Sequence, residues 1–350
     1  MSNRMPINFE STKREAKILS PLASFGPVIQ VLEHRSDPLS GRRVIVSRQR
    51  SEYVQRLIES EPSFIEELVQ SSQANCPFCP EAVEKNAPKF PPEIEVTGRI
   101  QVGEAICFPS LFAHEDFNGI VVPTGQHRLA LNEFTSRMLL DGFKACRIYF
   151  EDVHKAFPNV GHTVIAMNFL PPAGSTIAHP HIQALASDIP FQAIADLVSA
   201  ARKYATESGS DYWRDLIVME RKLGERYLAN LNGVDWLTPF APVGLNEVGA
   251  VVCGKPRFNC LSDREWDGLA DGIVRILKYY HELGVRSFNL ALYASPLEDD
   301  SIPVMARIVS RYGYRPKFVS DVWALQYLLG EQEVFESPEE TCIKLSKCFK

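Results

Sequence analysis

The sequence predicts an α+β protein made of two related halves, each an antiparallel sheet with its helices packed on one face. Strand and helix patterns follow one another in the order strand, helix, strand, loop, strand, and the same order recurs about 125 to 130 residues later. The length agrees with two units, because 350 residues exceed the roughly 250 to 300 at which a single core stops growing. We therefore predict an internal pseudo-repeat.

The first copy of the repeat lies in the first half of the chain. Residues 118–123 form an apolar run typical of a buried strand, and residues 133–153 carry apolar side chains at helical spacing. Residues 162–170 have strand character, and a loop rich in Pro, Gly and Ser follows at 171–176. The returning strand is predicted at 179–187.

The second copy keeps this pattern but lacks the two histidines, His179 and His181, with which the last strand of the first copy is predicted to begin. Its strand, helix and two further strands are predicted at 249–253, 262–283, 287–294 and 302–310. The alignment places Gly119 on Gly249 and His179 on Ile302. Chemistry is therefore expected only in the first half.

A helical stretch at 190–223 is predicted to join the two halves. We accordingly predict a catalytic domain at 1–195, which carries a metal site, and a degenerate domain at 196–350.

Composition and charge exclude several classes of protein. The chain is 45% hydrophobic and 23% charged with a formal net charge of -6, so it lacks the basic field that binds nucleic acid. No apolar run approaches the roughly 18 residues of a membrane span, and the N-terminus lacks the pattern of a signal peptide. We expect a cytoplasmic protein with neither nucleic acid nor membrane as a partner.

The segment His179-Pro180-His181-Ile182-Gln183 is the sharpest local signal for chemistry. Alternation along a strand would send residues 179, 181 and 183 to one face, and the loop Gly174-Ser175-Thr176 just before them can hold a phosphate. A neutral imidazole attacks phosphorus when a hydrogen bond fixes its tautomer, and the Gln183 amide can donate to phosphoryl oxygens. Paired histidines are also found as metal ligands or core groups, and His179 can be a ligand while His181 is not.

Cys76 and Cys79 have the spacing of half a tetrahedral zinc site. The other half would come from His127 and His179, with His114 as a substitute for His127. Four protein ligands leave no open position, so such a metal would be structural. Without the histidines, a lone pair of this kind is equally compatible with redox use or with no function.

Taken together, these motifs resemble the galactose-1-phosphate uridylyltransferases of the histidine triad superfamily. The resemblance runs from about residue 33 to 190, and more weakly to about 320. It is carried, in order, by Asp37-Pro38-Leu39-Ser40-Gly41, Arg50, Cys76-x-x-Cys79, His127, Asn168, Gly174-Ser175 and His179-Pro-His181-x-Gln183.

The resemblance implies a histidine-triad-like fold for each half and a double-displacement reaction. His181 would take a nucleoside monophosphate from a nucleotide sugar and pass it to a phosphorylated acceptor. The resemblance also implies a structural Zn²⁺, a homodimer, and phosphate contacts from Gln183, Ser175 and Arg50, with Asn168 positioning the site. The zinc ligands carried over from the family are Cys76, Cys79, His127 and His179.

The chain also departs from the family. Ser110-Leu111 replaces the Asn-Asp pair that reads uridine, and Val304-Met305-Ala306 replaces a second metal site, which we predict to be absent. Lys317-Phe318 keeps the start of the sugar phosphate segment, but the following residues diverge and Gln332 is the acceptor contact predicted there.

Three functional hypotheses follow from the sequence. The first is a nucleotidyltransferase of the hexose-1-phosphate uridylyltransferase type. The second is a phosphorylase that uses inorganic phosphate to split a nucleoside diphosphate sugar or a dinucleoside polyphosphate. The third, from another class, is a zinc protein that senses nucleotides without turnover. Gln183 disfavours a hydrolase, because histidine triad hydrolases carry a third His at that position.

Overall fold

The computed structural model describes residues 7–315 and 319–350, which include fourteen strands and nine α-helices. Lys317 and Phe318, which the sequence predicts to begin the sugar phosphate segment, lie outside the described residues. The strands β1 to β14 are Ser11–Ser20, Gly26–Ser36, Arg43–Val46, Ile100–Val102, Ala105–Pro109, Phe117–Val122, His162–Phe169, Ile182–Ser187, Tyr227–Leu231, Val234–Leu237, Leu245–Val252, Phe288–Tyr293, Val304–Ser310 and Gln332–Val334. The helices α1 to α9 are Ser51–Ile58, Pro62–Gln73, Pro80–Asn86, Ser136–Ala156, Gln192–Ser208, Tyr212–Leu223, Asp263–Glu282, Ala324–Leu329 and Pro338–Leu345.

One ten-stranded sheet, antiparallel throughout, runs through both halves in the order β4-β5-β6-β8-β7-β12-β13-β11-β10-β9. The halves meet where β7 pairs with β12, with Val164 opposite Tyr293 and Phe169 opposite Phe288. The run β6, α4, β7, β8 recurs as β11, α7, β12, β13, so the predicted fold class and repeat are confirmed.

Local sequence signals set the ends of the helices. Thr135 accepts a hydrogen bond from the Met138 amide at the start of α4, and Ser262 begins α7 with a capping box to Glu265. The predicted helical stretch at 190–223 forms as α5 and α6, which end at glycines with left-handed backbone. The domain boundary at 195 stays a prediction.

Helices cover both faces of the large sheet. The helices α4 and α7 lie on one face, where Phe143 and Trp266 meet with ring centroids 5.8 Å apart. The helices α5 and α6 cover part of the other face, against residues such as Val164 and Met305. The candidate site lies on this second face, at one end of β7 and β8.

The predicted alignment of the two copies is one residue out of register on the strands. The β8 residues that join the core with α4 and α7 are Ile182, Ala184 and Ala186, and those of β13 are Val304, Ala306 and Ile308. Matching positions of the two strands are therefore separated by an even number of residues. The alignment of His179 with Ile302 separates them by an odd number. A shift of one residue exchanges the faces of a strand, so similar apolar patterns do not fix the register.

A second sheet, in the order β1-β2-β3-β14, was not predicted from the sequence. Its strands β1 and β2 form a long, largely exposed hairpin, and β14 from the C-terminal part pairs in parallel with β3. This second sheet therefore joins the two ends of the chain. In the described part of the chain, no helix has the length and apolarity needed to cross a membrane.

Candidate active site and metal centre

His179 and His181 lie just before β8 and not on it, which corrects the strand predicted at 179–187. The first paired residue is Ile182, opposite Val121, while Gln183 pairs with Ile120 and Ala166. Pro180 explains the late start, because a proline has no N–H to donate to the strand ladder. The two histidines therefore point in directions set by their own contacts and not by strand alternation.

Four side chains form a candidate metal centre: Cys76, Cys79, His127 and His179. Their ligand atoms all lie within 4.8 Å of one another. The Cys79 sulfur is 3.5 Å from His127 Nδ1, and both sulfurs are 3.7 Å from His179 Nδ1. Tetrahedral zinc with ordinary bond lengths separates sulfur and nitrogen ligands by about 3.6 Å, so these residues fit the ion.

Hydrogen bonds at Nε2 turn Nδ1 of both His127 and His179 toward the candidate metal centre. His179 Nε2 lies 2.9 Å from the Thr124 carbonyl oxygen, and His127 Nε2 lies 3.1 Å from the Ser72 hydroxyl. A carbonyl only accepts, so the proton of His179 sits on Nε2 and Nδ1 is left with its lone pair, as a metal ligand needs.

The cysteines also fit a bound cation. Burial, with the charge of Cys76 and its hydrogen bond, raises the pKa of Cys79 to about 11. A nearby cation stabilises the thiolate form of Cys79, which burial otherwise disfavours. His114, the predicted substitute for His127, is exposed and lies outside the group.

One ring nitrogen of His181 is fixed by a backbone carbonyl and the other is left available. Its Nδ1 lies 2.9 Å from the backbone carbonyl of His179, so this nitrogen carries the proton and donates it, and Nε2 keeps its lone pair. The side chain is 9% exposed, and burial lowers its pKa, which keeps the ring neutral near pH 7. The ring of Phe78, which stands between the two cysteines, contacts it at a centroid distance of 5.0 Å.

Strand register places one of the predicted substrate residues, Asn168, beside this imidazole. Asn168 is on the same face of β7 as Ala166, the partner of Gln183, so residue 181 comes beside it. Gly174 has a φ of 88°, which an L residue adopts at a cost, and Ser175 is buried with its hydroxyl 2.7 Å from the Ile177 carbonyl. Thr176 is exposed.

Leu170, just before this loop, has a φ of 67° and a ψ of 164°. This region of backbone space is almost restricted to glycine and costs a residue with a side chain about 1 to 3 kcal/mol. Such strain is found mainly at binding and catalytic sites. Its carbonyl accepts from the amides of Ala173 and Ser175 at 3.0 and 3.3 Å, which holds the loop in a tight turn.

Gln332 lies on the four-stranded sheet, and Arg50 lies in the short 3-10 turn Arg48–Arg50 that follows β3. Gln332 is opposite Val44, and the Arg50 guanidinium is 3.6 Å from Glu333 and stacks over Phe335. Gln332 also lines a cavity of about 310 Å³. Both stay predicted substrate contacts.

Asn289, in the second half, belongs to the site but was missed by the sequence analysis. It pairs with Asn168 across the β7–β12 junction, and its Nδ2 donates to Asn168 Oδ1 at 2.6 Å and to the Ala173 carbonyl at 2.8 Å. The repeat was the only signal available, because it could have shown that β7 and β12 become neighbours. The second copy lacks the two histidines, so no local motif marks Asn289 in the sequence.

The chain is similar to a protein of unknown activity and to several solved structures. No family model matches it. An uncharacterized protein of Archaeoglobus fulgidus is 30% identical over 329 residues, which cover 94% of this chain and 96% of that protein.

Three solved structures resemble the fold over 90% of this chain. A GalT-like protein from Arabidopsis thaliana has a TM-score of 0.70 at 16% identity, with 98% of that chain covered. An ADP-glucose phosphorylase from Arabidopsis thaliana with bound ADP-glucose has a TM-score of 0.71 at 16% identity and 98% coverage. A mutant uridylyltransferase has a TM-score of 0.65 at 17% identity and 97% coverage. These similarities show the fold.

Proposed function

The chain belongs to one family with the Archaeoglobus fulgidus protein, within the galactose-1-phosphate uridylyltransferase-like fold of the histidine triad superfamily, and from this premise we propose that it is a nucleotidyl-transferring enzyme. Its donor would be a nucleotide sugar, and its acceptor would carry a phosphate. The observation that carries the proposal is the His181 imidazole, neutral and held by a backbone carbonyl with Nε2 free to attack.

The first step forms a bond between His181 Nε2 and the α-phosphorus of the donor. The bond from this phosphorus to the bridging oxygen breaks, and the sugar 1-phosphate leaves with the electron pair. His181 Nδ1 keeps its proton and its bond to the His179 carbonyl, so the positive charge of the adduct is stabilised by an oriented dipole. Amide donors from Gln183 and Asn168 would stabilise the phosphoryl oxygens.

The second step reverses the first with a new partner. A phosphate oxygen of the acceptor attacks the same phosphorus, the nitrogen–phosphorus bond breaks, and its electron pair returns to Nε2. Nδ1 keeps its proton throughout this step. No general base is needed, because the attacking phosphate oxygen of the acceptor is already an anion. A phosphorylated sugar and inorganic phosphate both satisfy this requirement.

The Cys76, Cys79, His127 and His179 side chains would hold a structural Zn²⁺, which these sulfur and nitrogen donors favour. The ion would hold in place the segments that carry the nucleophile. No substrate needs to reach it, since all four positions are taken by protein.

A phosphorylase is the second candidate. It is favoured by the fold similarity to an ADP-glucose phosphorylase, while the missing uridine-reading pair at Ser110 and Leu111 bears on the base of the donor. A changed base-reading segment removes the main reason to assume a uridine donor. The chemistry at His181 would be the same, with inorganic phosphate as the acceptor.

The test is a search for the covalent intermediate. The protein is mixed with uridine, adenosine, guanosine, cytidine and thymidine diphosphate sugars and analysed by intact mass spectrometry. We expect one donor to give an acid-labile increase equal to a nucleotidyl group, and no increase for His181→Ala. The adduct is then treated with inorganic phosphate, a hexose 1-phosphate or buffer, and the reagent that removes it identifies the acceptor.

His181→Ala should keep its metal content and melting temperature, since its ring is given no ligand role. Binding of a nucleotide sugar without adduct or turnover in the wild type would reject the enzyme and favour a nucleotide sensor.

A further inference from the structure

A chain of hydrogen bonds leads from the second half of the molecule into the candidate site. Asp321 accepts from Arg311 Nε at 2.6 Å and from Nη2 at 2.5 Å, which fixes the guanidinium from two sides. The remaining nitrogen, Nη1, donates to Asn289 Oδ1 at 2.6 Å. Asn289 in turn contacts Asn168 and the Ala173 carbonyl.

The two ends of this chain determine the orientation of both amides. A guanidinium can only donate, so Asn289 must present its oxygen to Arg311. A carbonyl can only accept, so Asn289 must present its nitrogen to Ala173, and the same nitrogen faces Asn168. Asn168 must therefore present Oδ1 to Asn289, because a second NH₂ group there would leave two donors facing each other.

This orientation leaves the Asn168 NH₂ group for the substrate. Its Oδ1 is taken by Asn289 on β12, which leaves its Nδ2 unused, and residue 181 comes beside Asn168 on the opposite, β8 side of β7. Asn168 Nδ2 has no acceptor among residues 7–315 and 319–350. A donor in this position can bind a phosphoryl oxygen of the group that His181 attacks.

The bond to Ala173 gives Asn289 a second role at the same site. Ala173 precedes Gly174 and Ser175 in the phosphate loop, which follows the strained Leu170. Fixing the Ala173 carbonyl holds the far side of this turn. One side chain thus sets both the amide and the loop that surround the phosphate.

We propose that Asn289 is a positioning residue, held by Arg311 and Asp321, which fixes the Asn168 amide and the loop at 173–176 for phosphoryl binding. This inference rests on the proposed function. It assigns to the second half, which lacks the histidines, a part in the reaction of the first.

The test is Asn289→Asp, which keeps the size of the side chain and removes its donor. Asn259→Asp is the matched control, because this exposed asparagine undergoes the same chemical change outside the hydrogen-bond chain of Arg311, Asn289 and Asn168. Two measurements are made on each full-length protein. The first is the single-turnover rate of adduct formation with the KM for the donor, and the second is hydrogen exchange of the peptide spanning residues 170–178.

We expect Asn289→Asp to lower the adduct rate about tenfold or more, because removal of one preorganised donor acts mainly on the transition state. The KM should change much less than the rate. The adduct rate of Arg311→Lys, which keeps a donor toward Asn289, should lie between those of the wild type and Asn289→Asp. Exchange at 170–178 should be faster in Asn289→Asp than in the wild type or in Asn259→Asp.

An unchanged adduct rate in Asn289→Asp would overturn the inference, as would equal exchange at 170–178 in all three proteins. The exchange measurement needs no nucleotide, so it decides the positioning role even when no donor gives an adduct. Failure of the wild type to form an adduct rejects the proposed function, while failure of the exchange difference rejects only the role of Asn289.

Discussion

The residues of the candidate metal centre come from three separate segments of the first half. Cys76 and Cys79 precede α3, His127 follows β6, and His179 precedes β8. An ion held by all of them would replace contacts that the short helix α3 and its loops cannot supply alone. Metal binding is therefore expected to be part of the folding free energy.

Cys76→Ser is predicted to lose bound zinc and to lower the free energy of unfolding by more than about 3 kcal/mol, since loss of a structural metal is among the costliest single changes. The measurements are elemental analysis and thermal unfolding. Cys260→Ser, outside the group of four, is the control and should change neither. An unchanged melting temperature for Cys76→Ser, with no zinc in the wild type, would show that the metal assignment is wrong.

The residues of the site differ in how far the sequence could reveal them. Cys76, Cys79 and His181 stand in short motifs whose spacing carries the chemistry, and the sequence alone proposed them. Asn289 and Arg311 stand in no motif, because their role arises from a strand pairing between residues more than a hundred positions apart. Single-sequence reasoning has no means to place such a pair.

Helix α7 lies unusually close to β9 at Gly268. A Cβ atom there would come 2.2 Å from the Leu231 carbonyl oxygen, which belongs to backbone and cannot move aside. At Gly142 of α4, a Cβ would meet the tip of the flexible Ile182 side chain at 3.0 Å and would otherwise make ordinary contacts, with Pro123 at 3.6 Å and Val121 at 4.0 Å. The two helices of the repeat therefore tolerate different substitutions.

Gly268→Ala is predicted to destabilise the protein by about 2 kcal/mol or more, because overpacking exceeds the 0.5 to 1 kcal/mol that alanine normally gains in a helix. Gly142→Ala is the matched control and should stay within about 1 kcal/mol of the wild type. Urea unfolding of the three proteins measures both values. Equal stabilities would contradict the close approach.

Helix α9 is fixed by a buried ion-pair cluster. Burial alone would raise the pKa of Glu339, but hydrogen bonds and charge from Arg35 and Arg226 lower it to about 2. Arg35 donates to both oxygens at 2.9 Å, and Arg226 donates to one at 2.8 Å. Arg226 also binds the buried Glu220 at 2.9 Å, which ties α9 to α6 and to β2.

This cluster predicts a pH dependence of stability. A carboxyl group with a lowered folded-state pKa contributes fully above its ordinary value near 4.5, and its contribution is lost as pH falls toward about 2. Glu339→Gln should cost roughly 2 kcal/mol at pH 7 and flatten the decline in melting temperature between pH 5 and pH 3. Glu298→Gln, at an exposed position, should leave the profile unchanged. Parallel profiles for Glu339→Gln and the wild type would contradict the assignment.

The sequence revealed the repeat well because its strands are continuous apolar runs and its helices are amphipathic. It did not reveal the hairpin β1–β2, whose residues Ser11 to Lys17 are mostly polar and exposed. The predicted start of β8, at residue 179, is too early. The apolar pattern extends back from Ile182 across Pro180, whereas the hydrogen bonds between the strands begin at Ile182. Register and strand ends depend on neighbours that a local pattern does not contain.

Strand pairing and a buried ion pair are among the connections that cross the predicted boundary at residue 195. Strand β7 pairs with β12, β3 pairs with β14, and Arg35 binds Glu339. The two halves also share one core cluster on the face covered by α4 and α7. Such shared burial makes independent folding of either half unfavourable.

We predict that the full chain unfolds in a single transition, with equal calorimetric and van't Hoff enthalpies. A fragment of residues 1–195 should show no cooperative melting by circular dichroism, because it lacks the partners of β3 and β7. Two separate transitions in the full chain, or a cooperative melt of the fragment, would establish two autonomous domains.

The junction at β7 and β12 also bears on ancestry. On either side of it the strands run in the same order, β7-β8-β6-β5 and β12-β13-β11-β10, so the large sheet has an approximate twofold axis between the copies. Two identical single-repeat polypeptides would associate in this way through one self-complementary edge. Tandem duplication of such a gene would make the pairing covalent, and the copy that no longer supplies the nucleophile could lose its histidines while keeping the strand edge with which the other copy pairs.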